Sequence, residues 1–435
     1  MIKGYPQYKD TKFEWLGALP SHWGLAKIGV LFDQRNEKVS DADFPALSVT
    51  KNGIVPQLEN AAKTDAGDNR MLVRKGDFVI NSRSDRKGSS GVSSLDGSVS
   101  LISIVLRPLE HNPRYIHHLF RSYNFQEEFY RNGKGIVADL WSTRYSEMKN
   151  IYIPVIPMDE QNSIADYLDK ETSRIDGLIS EKNNFINLLK EKRQALISHV
   201  VAKGLDPNVE MKDSGVEWIG KIPKHWTRKR LKHVISLIES GTSVNAANVQ
   251  ADPNQVAVLK TSSVYGGKFD PSKTKTVIDE DVSRVNCPLR KGSLIVSRMN
   301  TPDLVGSAGY VFDAPENIFL PDRLWQVEFN SATLPEFIYY WTLTDVYRNQ
   351  VKISCEGTSS SMQNISQGDF KNYHLAVPSL EEQILIVDHI RSRASFIEKL
   401  IVEVNHSIDL LKEHRTALIS SAVTGKIDLR DKEVA

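Results

Sequence analysis

Residues 188–198 read LLKEKRQALIS and residues 410–420 read LLKEHRTALIS, identical at nine of eleven positions. Such a match, 222 residues apart in a chain of 435, says that the chain is written twice. A second pair marks the other end of the repeat: residues 14–23 are EWLGALPSHW and residues 217–226 are EWIGKIPKHW, with six identities in ten. Between these anchors the halves share only fragments, such as RKGDFVINSR from Arg74 and RKGSLIVSR from Arg290. Drift after duplication explains the matching ends but gives no reason for sparing them. A common framework around two independently chosen surfaces explains both the likeness and the divergence.

Each half closes on a helical pattern. Leu168, Ile175, Leu189 and Leu196 fall on one seven-residue grid, with Lys182 its only polar member; Ile390, Ile397, Val404, Leu411 and Leu418 fill the same grid in the second copy. Leu178, Phe185, Leu400 and Ile408 widen the stripe toward a coiled-coil seam. Pro157 and Pro378 precede these segments, and Gly204 and Gly425 follow them, as start and stop signals should. Some 40 residues at 1.5 Å each predict rods of roughly 60 Å. Gly177 and Lys182 interrupt the first, which puts its straightness in question.

The intervening lobes read as mixed helix and sheet. Short β-rich runs at 77–80, 101–106 and 293–296 are bounded by Gly and polar clusters, residues 113–130 and 334–347 look like aromatic-rich amphipathic helices, and 150–155 and 373–377 look like closing strands. The expected fold class is therefore α/β, mixed α+β lobes in two pseudo-twofold repeats. The expected domains are a recognition lobe at 1–157, a long helix at 158–203, a second lobe at 204–378, a second long helix at 379–425 and a tail at 426–435.

Composition, 40% apolar and 25% charged, is that of an ordinary globular protein. The start MIKGYPQYKDTKF has no signal-peptide core, and no apolar run approaches the roughly 18 residues of a membrane span, so a cytoplasmic protein with no membrane partner is expected. Cys287 and Cys355 are too few for a disulfide framework and lack metal-ligand spacing; both are expected to be small buried residues. The net charge is +1; by segment, residues 1–157 carry 21 Lys/Arg against 17 Asp/Glu, and residues 204–378 carry 19 of each. DNA reading by such lobes needs local cationic patches, and a partner must supply much of the phosphate clamp.

No Asn-Pro-Pro-Tyr-like methyltransferase motif and no GxxxxGK[ST] loop occurs. Glu147-Met148-Lys149, eight residues after Asp139, imitates a nuclease core; it and its counterpart Asp369-Phe370-Lys371 read better as solvated residues. No catalytic residue and no metal ligand is assigned. Candidates for DNA contact are the loops after the RKG strands: Arg83, Ser84, Arg86 and Lys87 in one lobe, Arg298 and Asn300 in the other. Arg forks onto guanine and Asn onto adenine in the major groove. Lys51 and Asn52, and Lys260, Thr261 and Ser262, follow short apolar runs at similar places, and Arg144 and Gln363 complete the set. The basic run at 224–232, KHWTRKRLK, suits a phosphate or a partner surface, and His22 and His225, each beside a Trp, read as packing residues.

The two openings EW-[LI]-G-x-[LI]-P-x-HW, the pairs Glu160-Gln161 and Glu382-Gln383, and the repeated LLKE-x-R-x-ALIS together resemble the framework of type I restriction-modification specificity subunits, over about residues 8–428. The resemblance implies two target-recognition domains held apart by an antiparallel pair of long coiled-coil helices. It further implies a double-stranded DNA target that is bipartite and asymmetric, two methyltransferase subunits, and two restriction subunits when present. Cofactors would belong to those partners, S-adenosylmethionine, ATP and Mg, with none bound by this chain. Two other readings stay open: a coiled-coil DNA-binding regulator or scaffold without a methylation partner, and a stand-alone nuclease using Asp139, Glu147 and Lys149.

Overall fold

Two helices, Met158–Lys203 and Leu380–Val423, occupy the segments whose apolar spacing called for them. In this computed structural model, which describes residues 3–58, 67–135, 141–355 and 362–430, the first helix runs unbroken through Gly177. At 46 and 44 residues the helices are about 69 and 66 Å long. Gly204 and Gly425 follow the helix ends at φ of +76° and +67°, a left-handed conformation that glycine adopts without a Cβ clash.

The apolar stripe drifts. Leu168, Ile175 and Leu189 are buried as the grid requires, but Ile186 is buried where Phe185 was expected, and at the end burial passes from Leu196, half-buried, to Ile197, while Phe185 is exposed. A helix of 3.6 residues per turn rotates about 20° per heptad against a 3.5-residue grid, so the buried face moves along by one position.

The chain divides into two units, one made of residues up to Asn183 together with those from Val404 onward, the other of Asn184–Glu403. In the first unit, Leu168, Ile175 and Ile179 from the first half of one helix share a core with Leu411, Leu418, Ile419 and Ala422 from the last half of the other. Arg415 forks onto Asp176 at 2.9 and 3.1 Å across that seam. In the second unit, Leu196, Ile197, Val200 and Val201 pack in a core with Ile386, Val387 and Ile390, and Arg193 reaches Glu398 at 3.0 Å. Each unit thus pairs opposite ends of the two helices, in the antiparallel sense.

Each unit builds its lobe on the same central sheet. In the first the strand order is Ser90–Val92, Phe78–Asn81, Ser103–Pro108, Phe32–Gln34. In the second it is Ala308–Tyr310, Leu294–Ser297, Leu324–Phe329, Ile235–Ser240. A framework ladder closes each lobe, Gly24–Lys27 with Tyr152–Val155 and Thr227–Arg230 with His374–Val377. Outside this common plan the sheets differ. The first unit adds a three-stranded sheet and the hairpin Leu47–Thr50/Gly53–Pro56, and the second adds a four-stranded sheet containing one parallel pair.

The helices expected at 113–130 and 334–347 are each two helices. Ser122 breaks the first by capping Phe125 N–H at 3.4 Å, giving Pro113–Arg121 and Tyr123–Arg131. Thr344 does the same for Tyr347, giving Pro335–Thr342 and Asp345–Ser354. A hydroxyl satisfying a first-turn N–H starts a new helix where periodicity alone continues the old one. Cys287 and Cys355 are half-buried rather than fully enclosed, and burial pushes the Cys287 thiol up to about 11.

Candidate nucleic-acid interface

The repeated framework residues form one polar lock per unit. Glu160 accepts from the Tyr5 hydroxyl at 2.9 Å and from Trp23 Nε1 at 2.9 Å, and His22 Nε2 lies 2.6 Å from its other oxygen. Glu382 does the same with Trp226 Nε1 at 3.0 Å and His225 Nε2 at 2.8 Å. Both tryptophans are fully buried, and a buried indole N–H needs an acceptor. The adjoining glutamines tie each long helix to its lobe: Gln161 accepts from Asn112 N–H at 3.0 Å, and Gln383 from Leu334 N–H at 2.7 Å. His22 and His225, expected as packing residues, are partly exposed and hold the glutamates of the locks.

An ion pair adjoining each lock has opposite polarity in the two units. Arg114 of the first lobe meets Asp166 at 2.6 Å and Asp169 at 3.1 Å on its long helix. At the positions 222 residues later, Glu336 of the second lobe accepts from Arg391 at 2.6 Å, and Arg391 also meets Asp388 at 3.3 Å.

On these frames sit the loops singled out from sequence. The segment after strand Phe78–Asn81 forms a single 3-10 turn, Ser84–Arg86, and is zipped to the segment before the short closing helix Tyr145–Met148: Arg83 bridges Ser142, Thr143 N–H donates to Ser82 O at 2.9 Å, and Ser84 N–H donates to Trp141 O at 3.0 Å. Arg83 and Arg86 are exposed, and Arg144 is exposed at the end of the same platform. The second unit repeats the device, pairing Met299–Asn300 with Gln363–Asn364, with Ile365 N–H donating to Arg298 O at 2.9 Å. Candidates more than fifty residues apart in sequence are neighbours in each unit.

Lys51 and Asn52 form the exposed tip of the hairpin, where Thr50 Oγ1 accepts from Asn52 N–H at 3.0 Å. Lys51 shares a cleft of about 460 Å³ with Lys87, which is ion-paired to Glu127. In the second unit, Lys260, Thr261 and Ser262 line a cleft of about 590 Å³ together with Lys275 and Arg323. Arg298 is tethered beside it, its Nε donating to Asp322 O at 2.9 Å. Asn300 is buried and spends its amide inside the protein: Nδ2 donates to the Tyr265 hydroxyl at 2.9 Å, and Oδ1 accepts from Thr301 N–H at 2.9 Å. It holds the loop and leaves no free edge for a base.

Sequence reading missed Arg121 of the first cleft, Lys275 and Arg323 of the second, and Tyr265, whose hydroxyl holds Asn300. Single cations in unremarkable segments carry no periodic or motif signal. The basic run, by contrast, builds a cleft of about 470 Å³ lined by Arg228, Lys229, Arg230, His233 and His374, with no carboxylate in its lining. Burial, then Arg230 and Arg228, holds His374 below the ordinary imidazole range. Of the nuclease-like residues, Glu147 accepts from Ser146 Oγ at 2.7 Å and faces Lys134 at 3.5 Å, and Asp139 lies outside the described residues. No group of three metal-ligating side chains forms among the described residues, and no helix among them is long and apolar enough to cross a membrane.

Residues 223–405 match the family model described as the type I restriction modification DNA specificity domain. That span begins inside the second framework opening and takes in Glu382-Gln383, the lock whose copy stands in the first unit. Similar over their whole length are this chain and the putative type I restriction enzyme MjaX specificity subunit of Methanocaldococcus jannaschii, 22% identical, with 97% of this chain and 98% of that one covered. Residues 223–405 thus carry the family's domain, and the chain as a whole is similar to type I specificity subunits. The Escherichia coli K12 EcoKI specificity subunit is 24% identical over 285 residues, covering 64% of this chain and 58% of that protein. Two solved chains share this fold. One is from a type I R-M system, with a TM-score of 0.69 at 16% identity over 94% of this chain and 99% of that one. The other is the HsdS subunit of Thermoanaerobacter tengcongensis, with a TM-score of 0.54 at 17% identity over 96% and 100%.

Proposed function

We propose that this chain is the DNA-reading subunit of a type I restriction-modification complex, each lobe reading one half of a bipartite, asymmetric site. The observation that carries the reading is the platform built twice: in both units the loop after the RKG strand is zipped to the segment before the closing helix, yet the two platforms display unlike side chains. Arg83, Ser84, Arg86, Lys87 and Arg144, with Lys51 and Asn52, are the contact set of the first lobe. Lys260, Thr261, Ser262, Arg298 and Gln363 are that of the second.

The chain itself performs no chemistry in this reading. Adenine methylation with S-adenosylmethionine, and ATP- and Mg-dependent translocation and cleavage, belong to partner subunits in the cytoplasm. Two methyltransferase copies fit the repeat. Packing accounts for identical buried residues, but Leu188 and Leu410 are identical by position and 61% and 51% exposed, so a common partner surface accounts for them better. The test is replacement of residues 27–145 by the same region of a related subunit, followed by sequencing of methylated adenines. One half-site changes while the other half and the unread spacing persist. If both halves change together, the assignment of one lobe to one half-site is wrong.

A further inference from the structure

The cleft of about 460 Å³ in the first unit brings together residues that DNA reading by loops does not require. Its wall includes Arg121 from the helix Pro113–Arg121 and Arg415 from the second long helix, with Lys51 and Lys87 also lining it. Arg121 is held from both sides, Nη1 lying 3.2 Å from His117 Nε2 and Nη2 donating to the Lys51 carbonyl. Neither partner is a carboxylate, and no ion pair to Arg121 occurs among the described residues. Burial, then the like charge of Arg415, holds the Arg121 guanidinium below its ordinary range. Burial also pushes His117 down to about 3, with Arg121 and His118 adding to it, so the ring is neutral at physiological pH and brings no charge of its own beside Arg121.

A cation that is desolvated, beside a second cation and without an anion is costly unless something negative joins it. The one carboxylate in the lining, Asp169, is already shared by His118 at 2.7 Å and Arg114 at 3.1 Å. Arg415 is fixed by its fork onto Asp176, which leaves its place in the wall set before any ligand arrives. The second unit has no such feature: Leu343 stands 222 residues after Arg121, and Gln194 donates to its carbonyl.

We propose that this cleft is a phosphate seat, in which Arg121 and Arg415 together clamp one phosphate group while Lys51 and Lys87 guard its mouth. The seat rests on the DNA-reading function in one respect, namely that its first source of phosphate is the duplex backbone; a free pyrophosphate or nucleotide is the second source of the same chemistry. Guanidinium forks suit phosphate oxygens, and water exclusion strengthens the contact.

The test uses the full chain and the variants Arg121→Gln and Arg415→Gln, with Lys212→Gln, an exposed cation of the other unit, as control. Duplex binding is followed by fluorescence anisotropy across a salt series, and inorganic pyrophosphate binding by the rise in melting temperature. A seat for backbone phosphate makes each variant bind all sequences about tenfold more weakly at low salt, with a salt slope reduced by about one. A seat for free phosphate leaves duplex binding intact and abolishes the pyrophosphate-induced rise. Unchanged duplex binding together with an unchanged pyrophosphate response overturns the proposal while leaving the DNA-reading function standing. A wild-type chain that binds no duplex, alone or with its methyltransferase, removes that function, and the pyrophosphate arm still decides the seat. Should Arg121→Gln fail to fold, Arg415→Gln and the charge-keeping Arg121→Lys, which loses the fork, carry the same comparisons.

Discussion

Removing Arg391 should cost far more than removing Arg114, although the two occupy reversed versions of one ion pair. Arg114, Asp166 and Asp169 are each more than 40% exposed at the side chain, so water screens the pair, and Arg114→Met should destabilise by about 1 kcal/mol or less. Glu336 is different: its residue is 4% exposed, Oε1 is buried without a partner, and Oε2 relies on Arg391. Arg391→Met leaves a buried carboxylate alone, which costs about 3–5 kcal/mol for a fully enclosed pair. Because Arg391 itself is 56% exposed, the lower end applies, about 3 kcal/mol, or roughly two decades in the local opening equilibrium. Adding Glu336→Gln should recover most of the loss, since the charge that made it costly is gone. Hydrogen exchange resolved by peptide is the assay, because two units need not unfold as one transition. Equal effects of Arg391→Met and Arg114→Met, or no rescue by Glu336→Gln, would refute the reasoning. The reversed polarity also sets which lobe belongs on which helix: the first lobe seated on the second helix would put Arg114 against Arg391.

Glu160→Ala orphans three donors and Glu382→Ala two, so urea titration should show losses of roughly 2–4 kcal/mol, greater for Glu160. His117 has a folded pKa depressed to about 3 against about 6.5 in the unfolded chain, so its contribution is complete above pH 6.5 and is lost as pH falls toward 3; His117→Gln should flatten melting temperature against pH in that window. Leu188→Asp and Leu410→Asp, on exposed positions, should shift melting by no more than the equivalent of about 0.5 kcal/mol while reducing co-purification of the methyltransferase. Arg230→Ala, in the cleft without carboxylates, should weaken binding of related and unrelated duplexes alike, with a shallower salt slope.

The repeat, the long helices and their end signals were legible because they rest on identity, period and the conformational preferences of Pro and Gly. Lobe topology was less so. Ser122 and Thr344 cut helices that periodicity ran together, since a cap is one hydrogen bond and leaves the apolar pattern intact. The pairing of Asn300 with Gln363 is a contact between distant segments, for which one sequence holds no local signal. Asn300 shows the opposite limit: an amide beside an arginine in a loop reads as a base contact, and only its bonds to Tyr265 and Thr301 reveal that the protein has already used it. Arg121 was overlooked because it ends an aromatic-rich helix whose other residues describe a core.

The first unit is assembled from the two ends of the chain. Asp428 N–H donates to Lys3 O at 2.8 Å, the Tyr8 hydroxyl donates to Gly425 O at 3.0 Å, and Leu429 is buried in the core that holds Trp15 and Trp23. The second unit is one continuous stretch. During synthesis, then, Asn184–Glu403 can close while residues 404–430 are still inside the ribosome, whereas the N-terminal lobe, made first, must wait for them to finish its core. The order of translation and the order of completion are reversed, and the earliest-made half is the one exposed to proteases and chaperones for longest.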